Sequence, residues 1–278
     1  MRDPSQRLLA VVLGMHRSGT SAVTRALPVV GVELGDRLMP PVAGDNDKGF
    51  WEDLDVNALN NEVLEVLGAD WDTPGVPTAA ALEREELAPL RARGVDLLRG
   101  RMTGRDAFGI KDPRLSRLLF FWKPIFRQLD LRVVYLLAVR NPLSVARSVG
   151  TRNDFSEEKS YRLWMEHTLG ALVETHGEAR LCMDYDELVL DPARQVRRIA
   201  RFVQRAIDEA ACQEYVAQFL DPQLRHTRFF IGDLENEPGV PSKVCELYLR
   251  LRRAAIDDRP QAWDAIETYL EGCGLNTS

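Results

Sequence analysis

Lysine is scarce in this 278-residue sequence: only five of its 36 basic residues are lysines, and the others are arginines. Basic residues are also outnumbered by the 42 aspartates and glutamates, which gives a net charge of -6. This charge balance disfavours general binding to nucleic acid or to an anionic membrane surface, although a local basic pocket is compatible with it.

Paired cysteines and long apolar runs are absent too. The four cysteines lie far apart and form no CxxC pair, so the sequence predicts neither a zinc site nor a disulfide framework. No cluster of histidines, cysteines or carboxylates in the sequence has the spacing of metal ligands. The first apolar run, Leu8–Leu13, has six residues, too few for a secretory signal or for the roughly 20 residues that cross a bilayer. We therefore expect a cytoplasmic protein without a metal.

Short apolar runs alternate with amphipathic segments along the chain, a pattern typical of α/β proteins with a mainly parallel sheet and helices on both faces. The predicted strands are Leu8–Leu13, Ala107–Ile110, Arg132–Val139 and Arg180–Met183. A helix is expected over Thr20–Val30, with Pro28 marking its end or a kink, and a long loop over Gly31–Asn46. We predict one three-layer domain over residues 1–278, with a helical C-terminal part from residue 203. In such sheets ligands bind beyond the carboxyl ends of the strands.

The first strand leads into a glycine-bounded loop, Gly14 to Ser21, with the sequence GMHRSGTS. Glycines let backbone N–H groups point inward at an anion, and the hydroxyls of Thr20 and Ser21 add donors. Thr20 stands where nucleotide triphosphate-binding loops have a lysine, and the cation of this loop is Arg17 instead. The pattern predicts a phosphate-binding loop.

A second polar cluster, RNPLSVARS, follows the predicted strand Arg132–Val139. Arg140 leaves the strand, and Ser148 lies eight residues later, about two helical turns on. A guanidinium and a hydroxyl placed in this way can bind one phosphate, although surface arginines and serines are also common.

Together, RSGTS and RNPLSVARS resemble the cofactor signature of sulfotransferases that use 3'-phosphoadenosine 5'-phosphosulfate (PAPS). The resemblance covers about residues 8–202 and implies a P-loop sulfotransferase fold that needs no metal. It implies that the first loop binds the 5'-phosphosulfate and that Arg140 and Ser148 bind the 3'-phosphate. Tyr185, in a segment similar to the family's Y-E-D-L, would lie against the adenine or belong to the core. The first-loop residues assigned to the cofactor in this way are Arg17, Ser18, Gly19, Thr20 and Ser21. His16 lies in the same loop and is a further candidate for the cofactor, with packing inside the loop as its structural alternative.

The resemblance also suggests catalytic residues. Arg17 would stabilise the leaving phosphate, and Lys111 resembles the lysine of the K-T-H segment of cytosolic sulfotransferases. The histidine of that segment is absent, because Asp112 follows Lys111. Other branches use a glutamate as the base, and Glu52 in KGFWE is the best match, with capping of the following helix as its structural alternative. Asp112 is the reserve base, with helix capping or pairing to Arg114 as its structural alternative.

The predicted reaction is transfer of a sulfuryl group to a hydroxyl of a small molecule or carbohydrate. The segments Gly31–Asn46 and Trp71–Ala81 are expected to shape the acceptor pocket. Arg225 and Arg228 are weaker matches to a late basic segment of the family that contacts the 3'-phosphate. Two alternatives stay open: a P-loop kinase, whose magnesium ligand would be Asp184, and a nucleotide-binding scaffold without turnover. The oligomeric state is not predicted.

Overall fold

The computed structural model describes residues 6–75, 84–219, 229–257 and 260–275. Its centre is a sheet of four parallel strands in the order β2-β1-β3-β4. The strands are β1 (Leu8–Leu13), β2 (Ala107–Lys111), β3 (Arg132–Val139) and β4 (Arg180–Asp184). The predicted α/β class and parallel sheet are confirmed.

Strand β1 lies inside the sheet and is buried along its whole length, as its continuous run of apolar residues predicts. Its register places Val12 opposite Lys111 of β2, and Leu13 opposite Leu137 of β3. Since all the strands are parallel, the segments after β1, β2, β3 and β4 leave the sheet at the same edge. The polar clusters predicted at these strand ends therefore converge there.

Helices cover both faces of the sheet because alternate residues of each strand enter two separate apolar clusters. The helices on the face that buries Leu9, Val11 and Leu13 are α2 (Leu54–Val66), α3 (Leu87–Met102), α4 (Leu115–Gln128), α5 (Pro142–Asn153), α6 (Glu157–Glu174), α10 (Ile231–Asn236), α11 (Ser242–Ile256) and α12 (Pro260–Gly272). Those on the opposite face are α1 (Thr20–Arg25), α7 (Tyr185–Leu190), α8 (Pro192–Val203) and α9 (Glu209–Glu214), with a π-helical turn over Tyr215–Phe219. None of the described helices has the length and apolar character needed to cross a membrane.

The expected helix over Thr20–Val30 is shorter than predicted. Helix α1 ends at Arg25, and a separate 3-10 turn spans Pro28–Val30. Pro28 has no N–H to donate to the preceding turn, so the helical hydrogen bonds do not continue through it. The chain then passes into the long loop, where Gly109 N donates to Glu33 O at 2.7 Å beside β2.

The segment Trp71–Ala81 is described only as far as Gly75, so the rest of this predicted pocket segment lies outside the described residues. Its first part is held by the buried guanidinium of Arg117, which donates to the backbone oxygens of Trp71 and Thr73, at 2.8 Å in both cases. Trp71 in turn packs on the ring of His16, with 4.3 Å between ring centroids. The segment is thus fixed beside the glycine-rich loop.

Candidate functional site

The loop after β1 has the backbone of an anion-binding turn. Arg17 and Gly19 have φ angles of 67° and 85°, in the left-handed region. Gly14 N donates to the hydroxyl of Ser116 at 2.8 Å, which anchors the start of the loop to α4. A Cβ on Gly19 would lie 2.4 Å from the ring of Tyr185, so only glycine fits beneath this tyrosine.

Replacing Gly19 with Ala is expected to destabilise the protein by about 1–3 kcal/mol, because the methyl group forces Tyr185 away and the residue keeps a positive φ. Urea unfolding followed by circular dichroism measures this change. Gly100→Ala in α3 is the matched control, since a Cβ there meets nothing within 4 Å. Equal stability of the two variants would contradict the tight contact at Gly19.

The two polar clusters of the sequence meet at Arg17. Its Nε donates to the hydroxyl of Ser148 on α5 at 2.8 Å, although the two residues are 131 positions apart. Its Nη1 donates to the carboxylate of Asp45 at 2.8 Å and to the backbone oxygen of Asp45 at 2.9 Å. One guanidinium therefore joins the glycine-rich loop, the second cluster and the long loop before α2.

Arg140 and Tyr185 form the side of the site next to β4. The guanidinium carbon of Arg140 lies 4.8 Å from the centre of the Tyr185 ring, a cation–π distance. Arg140 Nη1 also donates to the backbone oxygen of Arg17 at 3.2 Å. The tyrosine thus lies between Gly19 and Arg140, and it also packs, partly buried, against the apolar cluster on the α1 face of the sheet.

Glu52 and Lys111 form a buried ion pair, with 2.7 Å between Glu52 Oε1 and Lys111 Nζ. Lys111 Nζ also donates to the backbone oxygen of Phe50 at 2.9 Å. Burial raises the pKa of Glu52, while the Lys111 ammonium acts in the opposite direction. Trp51 precedes Glu52 with a φ of 60°, a conformation that few non-glycine residues adopt. The Glu52 carboxylate is therefore held in place by the backbone conformation of Trp51 and by the ion pair with Lys111.

Asp112 is fully buried and is largely engaged in local structure. Its Oδ1 accepts from the backbone N–H of Arg114 at 2.8 Å and from the Arg114 guanidinium at 3.1 Å. The predicted pairing with Arg114 is thus present, whereas the N-cap of α4 is Arg114 and not Asp112. The other oxygen of Asp112 accepts from Asn57 Nδ2 at 3.2 Å, close to Glu52. The role of Asp112 as a second base stays a prediction.

His16 is a neutral residue at the edge of the site. Burial has the largest effect on the pKa of His16, and the positive charge of Arg152 has the next largest. Both lower this pKa, which lies well below its ordinary value. Its Nε2 and the hydroxyl of Ser18 are shielded from solvent and have no hydrogen-bond partner among the described residues. Ser21, by contrast, is engaged, since its hydroxyl donates to Phe50 O at 3.1 Å and accepts from Asn46 Nδ2 at 3.2 Å.

An open cavity of about 990 Å³, a volume that includes space continuous with solvent, brings most of these residues together. The predicted site residues that line it are His16, Arg17, Gly19, Thr20, Ser21, Glu52, Lys111, Arg140 and Tyr185. The predicted site residues outside its lining are Ser18, Asp112 and Ser148. Arg225 and Arg228 lie outside the described residues.

Three residues of the site were not predicted from the sequence. Asp45 binds Arg17, Asn57 contacts Glu52, and Arg152 lines the cavity. Arg152 follows Ser148 by four positions on α5, so the helical period could have identified it. Asp45 and Asn57 carry no comparable signal, because each contacts a residue brought near by the fold.

One family model matches the sequence from the end of α4 onward. Residues 124–232 match the model described as the sulfotransferase domain. The match includes Arg140, Ser148 and Tyr185, and it confirms the family predicted from the motifs. The glycine-rich loop, Glu52 and Lys111 precede the matched segment.

Solved structures of two sulfotransferase domains and of retinol dehydratase align with this chain over nearly its whole length. The sulfotransferase domain of the Synechococcus PCC 7002 olefin synthase is 14% identical, with 96% of this chain and 97% of that chain covered and a TM-score of 0.44. The sulfotransferase domain from the curacin biosynthetic pathway is 12% identical, with 99% of each chain covered and a TM-score of 0.47. Retinol dehydratase, in complex with androsterone and the inactive cofactor PAP, is 15% identical. The alignment covers 95% of this chain and 80% of that chain, with a TM-score of 0.40. No curated protein matches the chain.

Proposed function

We propose that this protein is a sulfotransferase that moves a sulfuryl group from PAPS to a hydroxyl of a small molecule or carbohydrate. The proposal rests chiefly on the hydrogen bond between Arg17 and Ser148, which brings the glycine-rich loop and the RNPLSVARS cluster into one site. Both belong to the motifs that resemble the PAPS signature, and Ser148 lies in the segment that matches the sulfotransferase family.

The side chains around the loop fit a nucleotide that carries two separate phosphates. Arg17 and Thr20 line the cavity at the first loop and are donors suited to the 5'-phosphosulfate. Arg140 also lines the cavity, with Ser148 nearby, and the two are suited to the 3'-phosphate. Tyr185 offers an aromatic face between the two, suited to the adenosine.

The reaction needs a base for the acceptor and cations for the leaving group. When bound, PAPS supplies a sulfuryl group: the acceptor oxygen bonds to sulfur, the bond from sulfur to the bridging phosphate oxygen breaks, and its electron pair stays on that oxygen. Glu52 takes the proton of the acceptor hydroxyl on its carboxylate. Arg17 and Lys111 stabilise the negative charge that develops on the bridging oxygen. Arg17 remains a donor throughout, because a guanidinium does not act as a base.

The cavity on the side of Glu52 is the proposed acceptor pocket. Its wall includes the guanidinium of Arg152, which also lies over the ring of Trp71 at 5.5 Å. A polar acceptor therefore suits this pocket better than a purely apolar one.

The kinase alternative is weaker in the structure than in the sequence. Asp184, its expected magnesium ligand, is fully buried and caps α7 by accepting from the backbone N–H groups of Asp186 and Glu187. Tyr248 OH donates to its second oxygen at 3.0 Å. Thr20 still stands in place of the lysine of a nucleotide triphosphate-binding loop.

The proposed function is tested by calorimetric titration with adenosine 3',5'-bisphosphate, 5'-AMP, ADP and ATP, first without and then with magnesium. Tight binding of the 3'-phosphorylated nucleotide alone is expected. A preference for ATP that needs magnesium would contradict the proposal in favour of a kinase. Binding of the bisphosphate without any cleavage of PAPS would favour a non-catalytic scaffold.

Arg140→Ala is expected to weaken binding of adenosine 3',5'-bisphosphate by about 1.5–3 kcal/mol, because a charge-assisted contact to the 3'-phosphate is lost. Calorimetry on the purified variant measures the change. The matched control is Arg147→Ala, since Arg147 is on the same helix as Ser148 but pairs with Glu157 and Glu237 away from the cavity. Unchanged affinity in Arg140→Ala would remove this residue from the cofactor site.

A further inference from the structure

Two buried carboxylates of the site share one neutral donor. The amide nitrogen of Asn57 lies 3.0 Å from Glu52 Oε2 and 3.2 Å from Asp112 Oδ2. We propose that Asn57 is a positioning residue that holds Glu52 ionised, with its carboxylate fixed toward the cavity. This inference rests on the proposed function, in which Glu52 is the base.

The orientation of the Asn57 amide follows from its three contacts. Its NH₂ group has two hydrogens, one for each carboxylate, whereas its oxygen accepts from Asn61 Nδ2 at 3.2 Å. A flipped amide would turn its oxygen toward two carboxylates and its nitrogen toward a donor. The network is therefore satisfied in one orientation only, with Asn57 donating to both acids.

The groups facing Glu52 explain why a neutral donor matters here. Lys111 binds Oε1 at 2.7 Å, and the Arg114 guanidinium lies 3.9 Å from Oε2. Asp112 acts in the opposite direction: its negative charge, like burial, raises the pKa of Glu52. The positive charge of Arg152 also interacts with Glu52 across the cavity.

Asn57 hydrogen-bonds to both acids at once, whereas the Arg114 guanidinium lies 3.1 Å from Asp112 but 3.9 Å from Glu52. Asn57 stabilises the ionised form of each through a hydrogen bond, and it adds no charge of its own. Without it, Glu52 Oε2 loses its nearest donor while Asp112 stays close. The proton would then be held more tightly by Glu52, and less of the base would be ionised at a given pH.

The test compares Asn57→Leu, which removes the donor, with Asn57→Asp, which puts a third carboxylate in its place. Ala58→Asp is the control, because it adds the same charge at the next, exposed position of α2. The pKa of Glu52 is read by ¹³C NMR of labelled glutamate carboxyls, with its signal assigned by its loss in Glu52→Gln. The second readout is the pH profile of PAPS cleavage with water as acceptor.

We expect the pKa of Glu52 to rise by about one unit in Asn57→Leu, from loss of a hydrogen bond to a charged group, and further in Asn57→Asp. Since the base works when ionised, the loss of PAPS cleavage on acidification moves to higher pH by the same amount. Ala58→Asp should match the wild type in both readouts. If Asn57→Leu does not fold, Asn57→Asp, which has nearly the same shape, gives the answer.

An unchanged pKa of Glu52 in a folded Asn57 variant would overturn the inference, as would a fall in activity with no shift of the pH profile. Failure of the proposed function gives a different result: the wild type would neither bind adenosine 3',5'-bisphosphate nor cleave PAPS. The NMR titration of Glu52 would still report on Asn57 in that case.

Discussion

Arg17→Gln is expected to lower the turnover of PAPS by about a hundredfold to a thousandfold, the range seen when one preorganised donor to a developing negative charge is removed. Arg17 lies inside the glycine-rich loop and lines the cavity, and its Nε is fixed by the hydroxyl of Ser148 at 2.8 Å. Glutamine keeps a donor of similar shape but has no positive charge, and its shorter side chain ends farther from Ser148. Rapid-quench assays with radiolabelled PAPS measure the single-turnover rate.

The control for Arg17→Gln is Arg147→Gln, which removes the same charge from the exposed side of α5. Its turnover should equal that of the wild type. A loss of less than tenfold in Arg17→Gln would contradict the role of Arg17 on the leaving phosphate. In that case Lys111 would be the main cation of the reaction.

Glu52→Gln is expected to reduce turnover by about a hundredfold or more, because the carboxylate that accepts the acceptor's proton becomes an amide. Affinity for adenosine 3',5'-bisphosphate should change little, since the cofactor contacts proposed above belong to other residues. Steady-state rates and calorimetry on the same preparation separate these two effects.

The ion pair of Glu52 adds a second expected effect of this variant. Lys111 is buried and loses its carboxylate partner in Glu52→Gln, so the free energy of unfolding should fall by up to about 3 kcal/mol. Activity is therefore compared at a temperature where urea titration shows both proteins folded. Full activity of the folded variant would transfer the base role to Asp112 or to the acceptor itself.

The strands and the glycine-rich loop were predictable because local sequence determines them. Strand β1 runs over Leu8–Leu13 as predicted, since a short run of β-branched and aliphatic residues suits a strand buried on both faces. Pro28 was predicted to mark the end of α1 or a kink in it, and the helix ends before this residue, at Arg25. The residues up to Val30 form a separate 3-10 turn instead of extending the helix.

The meeting of Arg17 with Ser148 followed from topology, because neighbouring parallel strands place their carboxyl ends at one edge. The ion pair of Glu52 with Lys111 did not follow from any pattern. It depends on how the loop over Gly31–Asn46 crosses the edge of the sheet before α2 begins. The place of Asn57 between two acids depends on the same path, so it could be found only in three dimensions.

The carboxylate of Asp45 gives Arg17 an anionic partner within the chain. A cofactor phosphate that binds this guanidinium replaces the Asp45 carboxylate as its counter-ion, instead of neutralising an unpaired cation. Cofactor binding therefore neutralises little additional positive charge at Arg17. As a result, the affinity for the cofactor depends less on ionic strength than the number of cations in the site suggests. Selectivity at this point rests on geometry: a tetrahedral phosphosulfate must match the Arg17 guanidinium better than the planar carboxylate of Asp45 does.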